Sequence, residues 1–327
     1  MKLPILSAWL LFASLTFGVF SLSAQEKSND PLPPHFPLLW KVADKEGNSK
    51  GYLFGTIHLA DPRVANFPKS VSEAVESCDV VVTELKMDQK TMAEAGLRSF
   101  VQASEKDLHE RLPAETVKHL DDELKLISPM LGVKTPPFNR MKIWTAMATL
   151  PMLEAVMEYP GMPSVDEKIV AIGRNADLTE DALETVDEQL GVFEGIADER
   201  MIEMLDITLE GMRKARTKGG VSPTEELILA YRRGDIDEIE AAADWDSEFF
   251  GRPEPEVSKE VMTALLETRN KRMGERVLDR YKESPEKKFF VAVGTLHLPG
   301  ETGLVDHLTK AGYVVERVPA PVAAEVK

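Results

Sequence analysis

The sequence predicts an α/β fold: a central mixed sheet built from the N- and C-terminal parts, with flanking helices and a large helical insertion or cap over residues 87–286. Three observations carry this expectation. Apolar, β-branched runs of strand length lie near both ends of the chain. The string Gly55-Thr56-Ile57-His58-Leu59 returns as Gly294-Thr295-Leu296-His297-Leu298, each time after an apolar run. Between the ends, apolar residues recur at helical spacing, broken only at Pro- and Gly-rich points.

Taken in order, Lys2, the mostly apolar stretch 3–20 and the small residues Ser21, Ser23 and Ala24 form the pattern of an export signal. Residues 1–24 are therefore expected to send the chain to the periplasm or outside the cell, with membrane attachment only if the signal is kept as an anchor. No later segment is long and apolar enough to span a bilayer. Residues 25–36 are polar and proline-rich, which fits an extended linker into a catalytic domain over 37–327. Residues 38–42 and 52–57 read as two strands of a hairpin joined by the turn-rich stretch 44–51. A helix is expected over 68–77, with Pro68 at its first turn and Val71, Ala74 and Val75 on one face. The β-branched run 79–85 then reads as a strand buried on both faces. Helices follow, with breaks at Pro113, Ser128-Pro129, Lys134-Thr135-Pro136-Pro137, Tyr159-Pro160-Gly161 and Lys218-Gly219-Gly220. Strand character returns at 288–293, then a helix over roughly 301–311 and a last strand at 313–318.

Composition excludes some functions. Hydrophobic residues make up 43% of the 327, enough for a sizeable core. The formal net charge of −16 and the lack of a Lys/Arg-rich run argue against a nucleic-acid partner. Cys78 is the single cysteine, so no internal disulfide can form, and its place before Val80-Val81-Val82 marks it as a small core residue. There is no Gly-x-Ser-x-Gly elbow, no phosphate-binding Gly-Lys loop and no Gly-x-Gly-x-x-Gly fingerprint. His109-Glu110 opens like a zinc-protease helix, but Pro113 follows and the second histidine is missing.

The repeated strings are where chemistry is expected. In each, the Gly lets the backbone bend at a strand end, the Thr hydroxyl can bond a neighbour, and the His projects from the end. A strand-end histidine taken singly is more often structural; two matching strings make a shared role the better reading. Two such histidines at one sheet edge could share a cation. Glu84, at the end of a buried strand, needs a counter-charge or hydrogen bonds to stay ionised. His58, Glu84 and His297 thus form a two-His, one-carboxylate set suited to Zn, Mn, Co or Fe. His35, His109, His119 and His307 lie in polar surroundings and read as solvated surface residues. Glu184 with Gln189, and Arg269 with Asn270, read from pattern alone as charged helix faces.

These strings resemble the TraB/GumN/Tiki family. The likeness runs through Leu39-Trp40-Lys41-Val42, the first histidine string, the strand ending in Glu84, Ser164-Val165-Asp166, Leu183-Glu184-Thr185 with Gln189, Arg269-Asn270, the second histidine string and Gly312-Tyr313. The family is similar in fold to erythromycin esterases and ChaN-like proteins, and its animal Tiki members are membrane-tethered metalloproteases. The resemblance implies a metal-dependent hydrolase, a protease or peptidase, using a divalent ion (Mn, Co or Zn) held by His58, Glu84 and His297, with a peptide or protein substrate. It implies catalytic roles for Glu84, Glu184, Arg269 and Asn270. Either Glu84 or Glu184 takes the water proton, and Arg269 stabilises the developing oxyanion. Two other readings stay open: a haem- or iron-binding protein of the ChaN type, and a non-catalytic binding protein.

Overall fold

The computed structural model describes residues 32–217, 223–243, 261 and 263–319. The expected export signal, the first part of the expected linker and the break at 218–220 lie outside the described residues. The chain opens with the hairpin β1 (Leu39–Ala43) and β2 (Ser49–Thr56), paired antiparallel. Two helices follow, α1 (Pro62–Ala65) and α2 (Lys69–Glu76), and then β3 (Val80–Thr83), buried along its whole length. The C-terminal part supplies β5 (Phe289–Gly294), the helix α14 (Leu304–Lys310) and β6 (Val314–Arg317).

One strand comes from the expected helical insertion. β4 (Thr179–Ala182) pairs parallel with β3 at the sheet edge, giving the six-stranded order β4-β3-β5-β2-β1-β6. Its sequence, Thr-Glu-Asp-Ala, carries no apolar run, because an edge strand beside helices needs little side-chain burial to be held by its ladder.

The remaining insertion is helical: α3 (Gln89–Arg98), α4 (Leu108–Arg111), α5 (Ala114–Ile127), α6 (Ile143–Thr149), α7 (Leu153–Glu158), α8 (Val165–Asn175), α9 (Val186–Glu194), α10 (Asp198–Thr217), α11 (Pro223–Arg233), α12 (Ile236–Ala243) and α13 (Thr268–Glu283). α5 ends at Ser128 and α7 at Tyr159, where the Pro and Gly breaks stand. Two apolar cores result. One lies about the sheet and includes Val81, Phe290, Ile169 and Val277; the other lies within the cap and includes Leu120, Trp144 and Met204.

Residues 33–37 do not behave as a free spacer. Arg232 donates to the Pro33 carbonyl, the Phe36 amide donates to the Arg232 carbonyl at 2.7 Å, and the His35 ring packs edge-on to Tyr231. The stretch is strapped to the end of α11, so His35 is not a solvated residue; burial pushes its pKa down to about 4. His307 is also covered, lying so close over Gly274 that a Cβ there would stand 2.4 Å from its ring.

Helices cover both faces of the sheet. Val81 meets α8, where a Cβ on Gly173 would lie 2.6 Å from its methyl group. Phe290 pairs with Val81 and so faces the same layer. Its neighbour Phe289 points the other way, onto Tyr281 of α13 at 5.8 Å between ring centres. α2 and α8 therefore form one layer, α13 and α14 the other. From β2 the chain passes to β3, beyond β5; from β5 it passes to β6, beyond β2. Connections that leave adjacent parallel strands in opposite directions open a crevice at their carboxyl ends, the usual ligand position in such sheets.

Candidate metal centre

Both histidine strings stand at that crevice. β2 and β5 pair parallel, with Thr56 opposite Gly294, so the strings leave the sheet side by side. The glycines are there for space and not for bending: neither Gly55 nor Gly294 has a positive φ, and Gly294 adopts φ −50, ψ 136, open to any residue. A Cβ on Gly55 would stand 2.9 Å from Thr295 Oγ1 and 3.1 Å from both Leu298 and Leu38. A Cβ on Gly294 would stand 3.2 Å from Glu84 Oε1, 3.5 Å from His297 Cδ2 and 3.7 Å from His58 Nε2. The two histidines and the carboxylate that the sequence singles out thus converge on one small space over Gly294.

Each ring is held from behind. His58 Nδ1 lies 2.9 Å from Asp166 Oδ2, and the Thr56 hydroxyl donates to Asp166 Oδ1 at 2.7 Å. His297 Nδ1 lies 2.6 Å from Asn270 Oδ1. With Nδ1 donating in both rings, Nε2 is the nitrogen turned to the shared space, and His297 Nε2 is 3.8 Å from Glu84 Oε1. The Thr295 hydroxyl donates to the Thr56 carbonyl at 2.8 Å, tying one string to the other, and Tyr231 Oη donates to the Gly55 carbonyl at 2.7 Å.

Glu84 is buried, with both oxygens hydrogen-bonded. Oε1 accepts from the Gly294 amide at 2.7 Å; Oε2 accepts from Gln189 Nε2 at 2.7 Å and Arg269 Nη2 at 2.6 Å. Burial opposes its ionisation, but the charges of His297, Arg269 and His58 and the Gly294 amide outweigh it, so the carboxyl stays well below the usual carboxylate range. Burial lowers the His297 pKa to about 4, leaving that ring neutral at ordinary pH. The charge that holds Glu84 ionised there comes from Arg269 and His58. The His58 side chain is 57% exposed, yet the Asp166 carboxylate raises its pKa to about 9.

Arg269 and Glu184 stand one layer behind. Arg269 Nη2 bridges Glu84 Oε2 and Glu184 Oε2, each at 2.6 Å, while Nε donates to Glu184 at 3.0 Å and Nη1 meets the Leu265 carbonyl at 3.3 Å. Glu184 also accepts from Arg272 and lies one guanidinium away from Glu84. The fork expected to receive an oxyanion thus faces carboxylates. A π-helical stretch, Thr263–Glu267, leads into α13 just before Arg269; such stretches often accompany functional sites. Further along α13, Arg276 and Arg280 donate to the Leu183 and Ala182 carbonyls and cap the open edge of β4.

Two partners of the site escaped the pattern reading. Asp166 entered only through the family-like string Ser164-Val165-Asp166, with no role read from pattern; the local signal around it is the capping box of Ser164 and Glu167 that starts its helix. Tyr231 lies in an ordinary amphipathic helix, with nothing local to mark it.

One donor pair of the cluster has the spacing a shared cation requires. Two ligands each about 2.0–2.2 Å from a metal lie at most about 4.4 Å apart, and the 3.8 Å between His297 Nε2 and Glu84 Oε1 meets that limit. Histidines braced at Nδ1 by a carboxylate or amide are the usual supported form of such ligands. Among the described residues, however, no three His, Cys, Asp or Glu side chains already stand in a ligating array.

The fold and the crevice define an α/β protein with a histidine–carboxylate cluster at the switch between two parallel strands. The chain belongs to the TraB/PrgY/gumN family, whose model matches residues 38–317. It is similar to metalloprotease TIKI1 of Danio rerio, at 26% identity over 90% of this chain and 65% of that protein. It is also similar to metalloprotease TIKI1 of Homo sapiens, at 25% identity over 86% of this chain and 62% of that protein. A metalloprotease TIKI homolog of Nematostella vectensis shares 27% identity over 86% of this chain and 66% of its own length. The chain spans a little under two thirds of the length of these animal proteins.

Proposed function

We propose that this chain is a metal-dependent hydrolase acting on peptide bonds, with His58, Glu84 and His297 holding a divalent cation over Gly294. The observation that carries the reading is that both rings are held at the same nitrogen, Nδ1. Asp166 and Asn270 take the Nδ1 positions and leave both Nε2 atoms turned to the side of Gly294 where Glu84 Oε1 lies. The names of the animal relatives, all metalloproteases, support the same class.

A divalent ion there would supply Lewis acidity toward a carbonyl and would acidify a water molecule. The chain's own residues do the rest. Glu84 brings the negative charge and is kept ionised by Arg269 and the Gly294 amide. His297 is neutral at ordinary pH and needs no proton removed to act as a ligand. His58, protonated in the metal-free protein, gives up its Nε2 proton on binding, so cation affinity rises with pH up to about 9. Arg269 orients Glu84, and Glu184 orients Arg269. Since His58 is the exposed member and the other two are buried, substrate approaches from the His58 side.

The test is cleavage of unstructured peptides by chelated protein to which Mn, Co or Zn is returned. His58→Ala and His297→Ala should each lose most bound metal and all metal-dependent cleavage while remaining folded. Full metal content in both variants, or no cleavage by the wild type with any of the three metals, goes against the proposal.

A further inference from the structure

The two histidines are not braced alike. His297 rests on the neutral Asn270, whereas His58 rests on a carboxylate, and that carboxylate is itself doubly occupied. Asp166 Oδ1 accepts from Thr56 and Oδ2 from His58, so one buried side chain grips two residues of the first string. Its own position is fixed. It lies in the first turn of α8, an eleven-residue helix started by the Ser164–Glu167 capping box, where the helix N-terminus favours a negative charge. Asp166 is 5% exposed, while the His58 side chain beyond it is 57% exposed. A half-exposed imidazole on a loop has no packing of its own to select its ring orientation or tautomer. A fixed acceptor behind Nδ1 selects both.

We propose that Asp166 is the positioning residue of the site: by accepting from Thr56 and from His58 Nδ1, it locks the His58 ring with Nδ1 protonated and Nε2 presented to the space over Gly294. The proposal concerns the ring itself and holds with or without a cation; only the affinity measurement below rests on the hydrolase reading. The bond to Thr56 stops the carboxylate from turning away, and the bond from Thr295 to the Thr56 carbonyl carries the same constraint to the second string.

The experiment reads the His58 tautomer by ¹⁵N NMR in the metal-free, full-length protein at a pH raised until the ring is neutral. Wild type should show Nδ1 protonated. Asp166→Ala should shift the neutral ring toward the Nε2-protonated form, and Asp166→Asn, which keeps an oxygen in place, should largely restore Nδ1. A wild-type ring protonated at Nε2 overturns the proposal without recourse to any variant, as does Asp166→Ala that keeps the wild-type tautomer. In a parallel zinc titration, Asp166→Ala should bind about 10–100-fold more weakly than wild type; undiminished affinity in a folded variant counts against the positioning role. Wild type that binds no zinc, manganese or cobalt sinks the hydrolase reading alone, since the tautomer result stands apart from it.

Discussion

Arg269→Ala separates the bracing role of this arginine from the oxyanion role that the family resemblance implies. The guanidinium sits between two buried carboxylates, with Nη2 at 2.6 Å from each and Nε at 3.0 Å from Glu184. Removing one partner of a buried ionic network leaves uncompensated charge and costs about 3–5 kcal/mol. Here the losses are cushioned: Glu184 retains Arg272, and Glu84 retains the Gly294 amide and Gln189, each at 2.7 Å. The lower end, about 3 kcal/mol, is therefore expected. With a urea m-value of about 2–3 kcal/mol/M, the midpoint should fall by roughly 1–1.5 M. The assay is urea denaturation of the metal-free protein followed by circular dichroism, which excludes any contribution from bound cation. Arg269→Lys keeps a charge but cannot reach both carboxylates with a planar fork, so it should recover only part of the loss. A loss under about 1 kcal/mol for Arg269→Ala, together with a large fall in kcat, would refute the bracing argument and return the arginine to the transition state.

Two other outcomes follow from the same geometry. Gly294→Ala should fold with a stability change near 1 kcal/mol, because its backbone angles suit alanine, yet its Cβ would fill the space 3.2 Å from Glu84 Oε1, so zinc content by elemental analysis should drop at least about tenfold; wild-type zinc content in that variant places the cation elsewhere. In the metal-free protein, His297 has a folded pKa near 4, below its ordinary 6.5, so stability is full above 6.5 and is lost as pH falls toward 4, by up to about 3 kcal/mol; His297→Gln should flatten that slope in urea midpoints taken across the range, and an unchanged slope assigns it to other groups.

Most of the sheet was legible because its strands announce themselves. Val80, Val81 and Val82 form a run buried on both faces, and Phe289 to Val293 is another; no other element satisfies such runs as well. β4 was not legible, since Thr179, Glu180, Asp181 and Ala182 are held by backbone pairing to β3 and by arginines of α13, neither of which leaves a local trace. Of the site, His58 and His297 could be read from the repeat and Glu84 from its place at a strand end. Glu184, Arg269 and Asn270 read from pattern alone as charged helix faces and join the site only through the family likeness, because their burial depends on α13 folding back over the sheet. The same long-range packing concealed His35, where a proline-rich stretch that looks like a tether is bound to the end of α11.

The repeat in sequence becomes an asymmetric pair in structure, and the cause is a stagger of one residue. Thr56 pairs with Gly294, so Gly55 and Gly294, the equivalent positions of the two strings, are one step out of register. In a sheet, one step turns a side chain to the opposite face. Thr56 and Gly294 therefore face the α8 layer, as Phe290 does, while Gly55 faces the α13 layer. Each string is met by a different helix: α8 reaches the first with Asp166, and α13 reaches the second with Asn270. Had the strings been in register, both would have presented the same face and one layer would have had to supply both braces. The stagger instead lets two layers close on one point from opposite sides, and the strand between them and β4 brings Glu84 to the same point. It also leaves the two rings in unlike surroundings, His297 buried on an amide and His58 exposed on a carboxylate, so a duplicated motif yields one ring that is neutral and one that is protonated at ordinary pH.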